Sequence, residues 1–292
     1  MRIALHGRKF SKESFPYVKS IAKKLLDNGH EIFITDVCAR ENRAEAKAYL
    51  TSYPQVNILE NLEPIDFFFS LGGDGTLLET VSLVGALEIP ILGINLGTMG
   101  FLATTAKGEI ESALNLFFDG HYELEDRTLL HLNSNTDLFE GQNFALNEVA
   151  ILKRDTSSMI IVRCFIDGEF VNTYWADGLM VSTPTGSTGY SLSCGGPLVL
   201  SESASFIITP VSPHNLNVRP LVVSDKSEIS FEIEGKGRSF LISLDSRSHT
   251  VNSTVKISMT KADFSAKLVK ISGSSFFDTL RNKLNWGQDI RN

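Results

Sequence analysis

The chain of 292 residues is poor in cysteine and in positive charge, and it has no long apolar run. Its three cysteines, Cys38, Cys164 and Cys194, are widely spaced and form no C-x-x-C pair, which excludes a disulfide framework. Lysine and arginine number 27 against 34 acidic residues, so nucleic acid is not an expected partner. No apolar run approaches the roughly 18 residues of a membrane-spanning helix, so we expect no membrane partner and a cytoplasmic location.

Motifs that identify several common enzyme classes are also absent. There is no G-x-x-x-x-G-K-[ST] loop, no G-x-G-x-x-G after the first strand, no H-E-x-x-H and no G-x-S-x-G. The six histidines show no metal-ligand spacing, so we predict no metal site built by the protein. A small anionic ligand is still compatible with this charge, because backbone N–H groups and helix N-termini bind anions.

The first third of the chain alternates strand and helix patterns, which predicts an α/β domain with an open parallel sheet. Strands are predicted at residues 2–6, 31–37, 65–71 and 89–95, and helices at residues 17–26, 41–50, 77–87 and 108–119. The run IDFFFSL at residues 65–71 is continuously apolar, as is typical of a parallel strand that is buried on both faces.

From about Tyr122 onward short β-rich runs follow one another, which predicts an all-β, sandwich-like domain of antiparallel strands. The runs are at residues 122–133, 144–153, 158–166, 170–175, 178–183, 205–209, 221–224, 228–233, 239–244, 250–259 and 264–271. Asp167-Gly168 predicts a hairpin turn, and a helical pattern returns only at residues 276–284. The predicted domains are therefore 1–121 and 122–272, followed by a C-terminal helix at 273–292 that could pack back on the first domain.

The glycine-rich segment Gly72-Gly73-Asp74-Gly75-Thr76 directly follows the predicted strand at residues 65–71. Ligands of open α/β sheets bind at the carboxyl ends of the strands, where glycines let the backbone approach a phosphate closely. A carboxylate repels a bare phosphate, so Asp74 needs a role such as holding Mg²⁺ or accepting a proton from an attacking hydroxyl. The alternative is a strand-to-helix turn in which Asp74 caps the helix.

A second segment, TPTGSTGYS at residues 183–191, alternates hydroxyls and glycines and includes one aromatic residue. Its donors, open backbone amides and stacking surface suit a nucleotide, and the alternative is a polar surface loop. A third segment, NLGTMGFL at residues 95–102, is more typical of a structural crossover at a strand end. Asn147 and Glu148 form a polar pair inside a strand pattern, which matters only if the pair faces the same cleft.

Taken together, these segments resemble the NAD kinase family (ATP-NAD kinase, bacterial type). The resemblance spans residues 1–272 and is carried, in order, by GGDGT at 72–76, NLGTMGFL at 95–102, NE at 147–148, WADGLMVSTPTGSTGYSLSCGGP at 175–197 and ITPVSPHNLNVRPLVV at 208–223. The family fold, an α/β domain followed by a β-sandwich-like domain, agrees with the pattern of elements. The resemblance implies phosphorylation of the 2′-hydroxyl of the adenosine ribose of NAD by ATP with a divalent metal ion, Mg²⁺ being expected, to give NADP.

The resemblance also implies roles for individual residues. Asp74 would accept the proton of the ribose hydroxyl, and the glycines and threonine of GGDGT would lie near the phosphates of ATP, namely Gly72, Gly73, Gly75 and Thr76. Contacts with the nucleotide are implied for Asn147, Glu148, Trp175, Asp177, Thr188, Gly189, Tyr190, Ser191, Leu192, Ser193 and Arg247. Family members are usually homodimers or homotetramers, so NAD, ATP and further copies of this chain are the expected partners.

Three positions depart from the family pattern. Trp175 stands where a basic residue is frequent, and Asp245-Ser246-Arg247 stands where Asp-Gly-Gln is frequent. The helix after GGDGT lacks an early Arg or Lys that some members carry, so another group must meet that phosphate.

Two alternative functions belong to other classes of protein. A diacylglycerol-type lipid kinase would share GGDGT, but it predicts an exposed apolar or basic surface that the sequence does not show. A non-catalytic dinucleotide-binding protein would keep the segment at residues 183–191 and would have no use for Asp74.

Overall fold

The computed structural model describes residues 1–42, 48–50, 52–53, 56–62, 64–97, 100–154, 158–234, 239–273 and 275–285. These residues divide into two units. The first comprises Met1–Asp126 with the described residues from Ala266 onward, and the second comprises Arg127–Ser265. The functional domains predicted with bounds at 121 and 272 stay predictions, and residues 286–292 of the predicted C-terminal segment lie outside the described residues.

Most of the described strands lie after residue 121. They are β1 (Arg2–His6), β2 (Glu31–Ile34), β3 (Val56–Ile58), β4 (Phe67–Gly72), β5 (Ile91–Asn95), β6 (Tyr122–Ser134), β7 (Phe144–Ala145), β8 (Glu148–Lys153), β9 (Ile160–Ile166), β10 (Glu169–Ala176), β11 (Gly178–Ser182), β12 (Ser205–Val211), β13 (Leu221–Ser224), β14 (Ile229–Glu234), β15 (Ser239–Leu244), β16 (Arg247–Asn252) and β17 (Ile257–Ile271).

The described helices are concentrated in the first unit. They are α1 (Phe15–Asp27), α2 (Asp36–Glu41), α3 (Asp74–Val84), α4 (Ile110–Phe118), α5 (Tyr190–Ser193) and α6 (Phe276–Leu284), and 3₁₀ turns lie at Gly85–Leu87, Lys107–Glu109 and Thr185–Thr188. Only α5 and the last of these turns belong to the second unit.

The first unit contains the predicted parallel sheet, in the order β3-β2-β1-β4-β5, with the end of β17 pairing with β5 through Leu268 and Ile91. Strand β4 lies between β1 and β5, and its residues Phe68 and Phe69, which point to opposite faces, are both fully buried. Helices α1 and α4 pack their apolar residues against the sheet in one core. This arrangement places the end of β4 in the middle of the sheet edge.

Some sequence predictions in the first unit were wrong in detail. The strand predicted at 31–37 ends at Ile34, because the Thr35 hydroxyl accepts a hydrogen bond from the backbone N–H of Cys38 and caps α2. Of the helix predicted at 41–50, Glu41 ends α2, residues 48–50 are helical, and residues 43–47 lie outside the described part of the chain. Strand β3 was missed.

The second unit contains a separate antiparallel sheet of six strands, in the order β13-β12-β11-β8-β15-β16. A further antiparallel set joins β10, β9, β14 and residues Ile257–Met259 of β17. Apolar side chains from both sets form one core, as alternation along β14 and β15 requires. The predicted fold class, an α/β unit with a parallel sheet and an all-β unit, is confirmed.

The turns of the second unit follow from residues that tolerate a positive φ. Asp167 (φ 51°) and Gly168 (φ 82°) join β9 to β10 in the predicted hairpin.

The two last predicted strands, at 250–259 and 264–271, were wrong: β16 ends at Asn252, and residues 257–271 form one strand of 15 residues. Between the two predicted runs, Lys261 and Asp263 are exposed and Ala262 is buried, and the strand continues through them.

Candidate active site

In the first unit, three neighbouring strands end at one edge of the sheet. His6 of β1 pairs with Ser70 of β4, and Gly72 of β4 pairs with Asn95 of β5. Because the strands are parallel, the residues that follow them meet at the same edge, which is where open α/β sheets bind their ligands. The GGDGT segment forms the turn between β4 and α3 at this edge.

Asp74 is the first residue of α3, and Gly73 occupies the N-cap position without a side-chain cap. The interpretation of Asp74 as the helix cap is therefore wrong. Its carboxylate instead accepts hydrogen bonds from three consecutive backbone N–H groups, those of Phe101 (2.8 Å), Leu102 (3.0 Å) and Ala103 (3.1 Å). The NLGTMGFL segment thus contacts the GGDGT turn directly, which makes it more than a crossover, although residues 98 and 99 lie outside the described part.

The glycines of the first unit's site differ in what surrounds them. A Cβ built on Gly73 or Gly75 would meet no atom within 4 Å, so open space lies beside the turn. A Cβ built on Gly72 would lie 2.2 Å from the Thr76 hydroxyl oxygen, and one on Gly100 would lie 1.9 Å from Asp74 Oδ1. Gly72 and Gly100 are therefore required by packing, whereas Gly73 and Gly75 leave room for a ligand.

In the second unit, the segment at residues 183–191 follows β11 and is mostly buried. Thr183, Ser187 and Ser191 are fully buried, so the interpretation as a polar surface loop is wrong. The Thr183 hydroxyl accepts a hydrogen bond from the backbone N–H of Gly186, and the Ser191 hydroxyl lies 2.9 Å from the Thr209 hydroxyl. The loop is thereby held by its own Thr183 side chain and by Thr209 of β12.

The predicted nucleotide contacts at residues 188–193 split into internal and exposed side chains. The Thr188 hydroxyl donates to the carbonyl of Thr185 (3.1 Å), and Ser191 is bonded as described above. Tyr190 is 40% exposed and Ser193 is exposed, while Leu192 is half-buried. Ser191 is fully buried, whereas Thr188, which is half-buried like Leu192, and the other two side chains are within reach of a ligand, and Gly189 presents backbone.

Asn147 and Glu148 lie against this loop. A Cβ built on Gly189 would lie 3.3 Å from both Asn147 Nδ2 and Glu148 Oε2, so a side chain there would displace the pair. Within the described structure, Asn147 Oδ1 and Glu148 Oε2 are buried oxygens without a hydrogen-bond partner. Burial, with the nearby Asp245 carboxylate, raises the pKa of Glu148 to about 8, so this carboxyl group is mainly protonated at neutral pH.

Asp245 positions the Asn147-Glu148 pair. It lies in the turn between β15 and β16 with φ 52°, and its buried carboxylate accepts the backbone N–H groups of Leu146 (2.9 Å), Asn147 (2.7 Å) and Glu148 (3.1 Å). Burial raises the pKa of Asp245, against these three hydrogen bonds. The same geometry therefore occurs in both units: one carboxylate holds three successive backbone N–H groups.

The comparisons with known proteins agree with this organisation. Models of the ATP-NAD kinase N-terminal and C-terminal domains match residues 3–122 and 146–271. Proteins named NAD kinase from Cytophaga hutchinsonii and Flavobacterium johnsoniae are 49% and 41% identical to this chain, each over 100% of both chains. The chain belongs to the ATP-NAD kinase family.

Solved structures give the same result for the fold. An NAD kinase from Archaeoglobus fulgidus in complex with ATP has a TM-score of 0.75 at 27% identity and covers 98% of this chain and 99% of its own. Yeast NADH kinase complexed with NADH has a TM-score of 0.87 at 21% identity, over 100% of this chain and 89% of its own. The match to the ATP-NAD kinase family does not support the lipid-kinase alternative.

Two of the three departures from the family pattern, those at Trp175 and Arg247, occupy different environments. Trp175 is 50% exposed, and Asp177, two residues later, forms an ion pair with Lys153 (2.6 Å). Arg247 donates to the backbone carbonyls of Gln142 (2.7 Å) and Phe144, so its described contacts are with the protein. The nucleotide contact proposed for Arg247 therefore stays a prediction, and its guanidinium also has a structural task.

Sequence reasoning missed Asp245, Lys153 and Gly100 as parts of the two sites. Asp245 had a signal in the Asp-Ser-Arg turn, since Asp tolerates the left-handed conformation found there. Among the described residues, no group of three or more His, Cys, Asp or Glu side chains could hold a metal ion. The helices of the described part include none that is long and apolar enough to span a membrane.

Proposed function

We propose that this member of the ATP-NAD kinase family transfers the γ-phosphoryl group of ATP to the 2′-hydroxyl of the adenosine ribose of NAD, giving NADP and ADP. The single observation that carries the proposal is Asp74, a carboxylate fixed by three backbone N–H groups beside a turn with open space at Gly73 and Gly75. Full-length relatives named NAD kinase and a similar fold solved with ATP support it.

In the reaction, the ribose oxygen bonds to the γ-phosphorus while the bond from that phosphorus to the ADP oxygen breaks. The ribose proton passes to Asp74. A carboxylate offers about four lone-pair positions, and three of those on Asp74 are used by Phe101, Leu102 and Ala103. One position remains for the hydroxyl, so the backbone contacts orient the carboxylate without blocking it. Alignment and charge neutralisation supply most of the rate.

We propose that the nucleoside part of NAD meets the second unit's site. The unpartnered oxygens of Asn147 and Glu148 support this, because buried polar atoms generally need a partner. A protonated Glu148 donates a hydrogen bond, which a carboxylate cannot do. The exposed rings of Trp175 and Tyr190 offer stacking surfaces.

We propose that Mg²⁺ binds to this protein together with the phosphates of ATP. This ion keeps several waters and is held in many such sites largely by substrate phosphates, so it does not need the lone-pair position of Asp74 that the hydroxyl uses. When bound, Mg²⁺ neutralises negative charge on the phosphates.

The roles of the domains, the location of the protein and its oligomeric state are also proposals. Residues 1–121 would receive the phosphate donor, residues 122–272 would receive the nucleotide acceptor, and residues 273–292 would pack with the first domain. We also propose a cytoplasmic location and a homodimer or homotetramer.

The test is a coupled assay of the purified protein. Protein, NAD, ATP and Mg²⁺ are incubated together, and NADP is read out with an NADP-specific dehydrogenase. We expect NADP only when all four are present, and replacing NAD by NADH or ATP by polyphosphate identifies the preferred pair. Absence of NADP despite measured NAD binding would contradict the proposed kinase and favour a non-catalytic dinucleotide-binding protein.

A further inference from the structure

Three ionisable side chains converge beside the GGDGT turn of the first unit. His6 ends β1, Arg8 follows it in the loop, and Glu79 lies in the second turn of α3. The Nε atom of Arg8 donates to Glu79 Oε2 at 2.7 Å, and His6 Nε2 lies 3.5 Å from the same oxygen. The proposed reaction as described gives no role to these three side chains.

The chain path brings Arg8 to the phosphate-binding edge. A Cβ built on Gly7 would lie 2.8 Å from the backbone oxygen of Leu71, so the loop after β1 runs directly against the end of β4. Glu79 is four residues after Gly75 and three after Thr76, which places all three on one face of α3. Arg8 is thus anchored to the helix face that begins with the predicted phosphate-binding residues.

The guanidinium of Arg8 is fixed at one edge and open at the other. Its side chain is 58% exposed, and no described residue forms a hydrogen bond with either of its Nη atoms. The anchor is rigid, because the His6 side chain is only 1% exposed and its Nδ1 is 2.9 Å from the Thr35 hydroxyl. Burial lowers the pKa of His6 despite the nearby Glu79 carboxylate, so His6 is neutral at neutral pH. Arg8, and not His6, is therefore the cationic partner of Glu79.

We propose that Arg8 donates from its open Nη edge to a phosphate group of the ATP bound at the GGDGT turn, and that Glu79 is the positioning residue for this contact. The inference rests on the proposed function. Helix α3, DGTLLETVSLV, contains no lysine or arginine, and Arg8 in the loop after β1 supplies a cationic side chain beside this helix. A guanidinium fork suits phosphate oxygens better than a single ammonium does.

The test compares ATP binding in Arg8→Gln, Arg8→Lys and a matched control, Arg2→Gln. Arg2 lies at the other end of the same strand and also faces a glutamate, Glu31, at 3.5 Å. The dissociation constant for ATP is measured by calorimetry without NAD, together with the KM values for ATP and NAD and the thermal midpoint. We expect Arg8→Gln to weaken ATP binding about tenfold or more, as loss of a charge-assisted hydrogen bond does. Arg8→Lys should lose less, and Arg2→Gln should match the wild type.

The positioning role of Glu79 needs a separate measurement. We expect Glu79→Gln to weaken ATP binding less than Arg8→Gln does, with no change in the KM for NAD. In the Arg8→Gln background the same change should cause no further loss, because Glu79 acts through Arg8.

Different outcomes separate this inference from the proposed function. Equal ATP affinity in the wild type and in Arg8→Gln overturns the inference and leaves the kinase activity standing. Equal losses for ATP and NAD with a lowered thermal midpoint also overturn it, since they show a purely structural ion pair. If the wild type binds no ATP at all, the proposed function fails, and the inference fails with it.

Discussion

Asp74 accepts a hydrogen bond from the backbone N–H of Leu102 at 3.0 Å across 28 residues of sequence. This contact joins the start of α3 to the segment that follows β5, two neighbouring strand ends of the first unit. The carboxylate therefore has two tasks: it holds a backbone segment in place, and in the proposed reaction it accepts the proton of the ribose hydroxyl. A substitution at Asp74 is expected to affect both tasks.

We expect Asp74→Asn to lower kcat by about 10²- to 10⁴-fold, the range for loss of a positioned general base. The dissociation constants for ATP and NAD should stay nearly unchanged. The free energy of unfolding should fall by about 1–3 kcal/mol, because the amide NH₂ cannot accept a backbone N–H. Steady-state kinetics, calorimetric binding and urea unfolding measure the three effects.

The control for this experiment is Asp66→Asn. Asp66 also accepts a backbone N–H, that of Arg2 at 2.7 Å, just before β4 and away from the turn. It should change stability without changing kcat. Turnover near that of the wild type in Asp74→Asn would remove Asp74 from the role of proton acceptor.

Gly100 is the residue whose packing against Asp74 is most sensitive to an added methyl group. A Cβ there would lie 1.9 Å from Asp74 Oδ1, so Gly100→Ala should displace the carboxylate or the segment that it holds. We expect a loss of about 1–3 kcal/mol in the free energy of unfolding, together with a lowered kcat. Gly108→Ala is the control, since its Cβ meets nothing within 4 Å. Equal activity in both variants would show that the contact is dispensable.

Much of the fold could be predicted because it depends on local patterns. Helix α6 has the predicted bounds, Phe276–Leu284, and the apolar run at 65–71 lies in β4 to within two residues at its start. The errors arose where one side chain or a long-range pairing decides the structure. Thr35 ends β2 by capping α2, and β17 continues through residues 260–263, where Ala262 is buried between the exposed residues Lys261 and Asp263.

The candidate sites could be predicted only in part, for a similar reason. GGDGT and the segment at residues 183–191 can be recognised from their composition. The residues that hold these segments in place are distant from them in sequence. Asp245 is 98 residues from Asn147, and its carboxylate nevertheless accepts the N–H of that residue. No local pattern contains such a contact, because it depends on how β8 and β15 pair.

A substitution at Gly73 tests where the phosphates of ATP bind. Its backbone is extended (φ −102°, ψ −166°), which suits a β-branched residue, and a Cβ there meets no atom within 4 Å. We therefore expect Gly73→Val to fold with nearly the stability of the wild type and to weaken ATP binding at least tenfold, because the side chain fills the space for the phosphate. Calorimetric titration with ATP measures the effect, and a thermal melt checks the fold. Unchanged ATP affinity would place the phosphates elsewhere.

Glu148 makes stability depend on pH in a defined direction. Its pKa is about 8 in the folded chain against an ordinary value of 4.5. Below pH 4.5 both folded and unfolded states hold the proton, and the stabilisation is fully present. Between about 4.5 and 8 only the folded state holds it, so unfolding releases a proton and stability falls as the pH rises.

Glutamine imitates the protonated form of Glu148 and cannot titrate. We therefore expect the thermal midpoint of Glu148→Gln to rise relative to that of the wild type as the pH increases from 5 to 8, with the difference levelling off above 8. Glu169→Gln, at an exposed position of β10, is the control and should follow the wild-type profile. Melting curves at constant ionic strength across this range measure the difference. A constant offset between the thermal midpoints of Glu148→Gln and the wild type would show that Glu148 is already ionised in the folded protein. An ionised Glu148 cannot donate a hydrogen bond to the nucleotide, so this contact would then be removed from the proposed site.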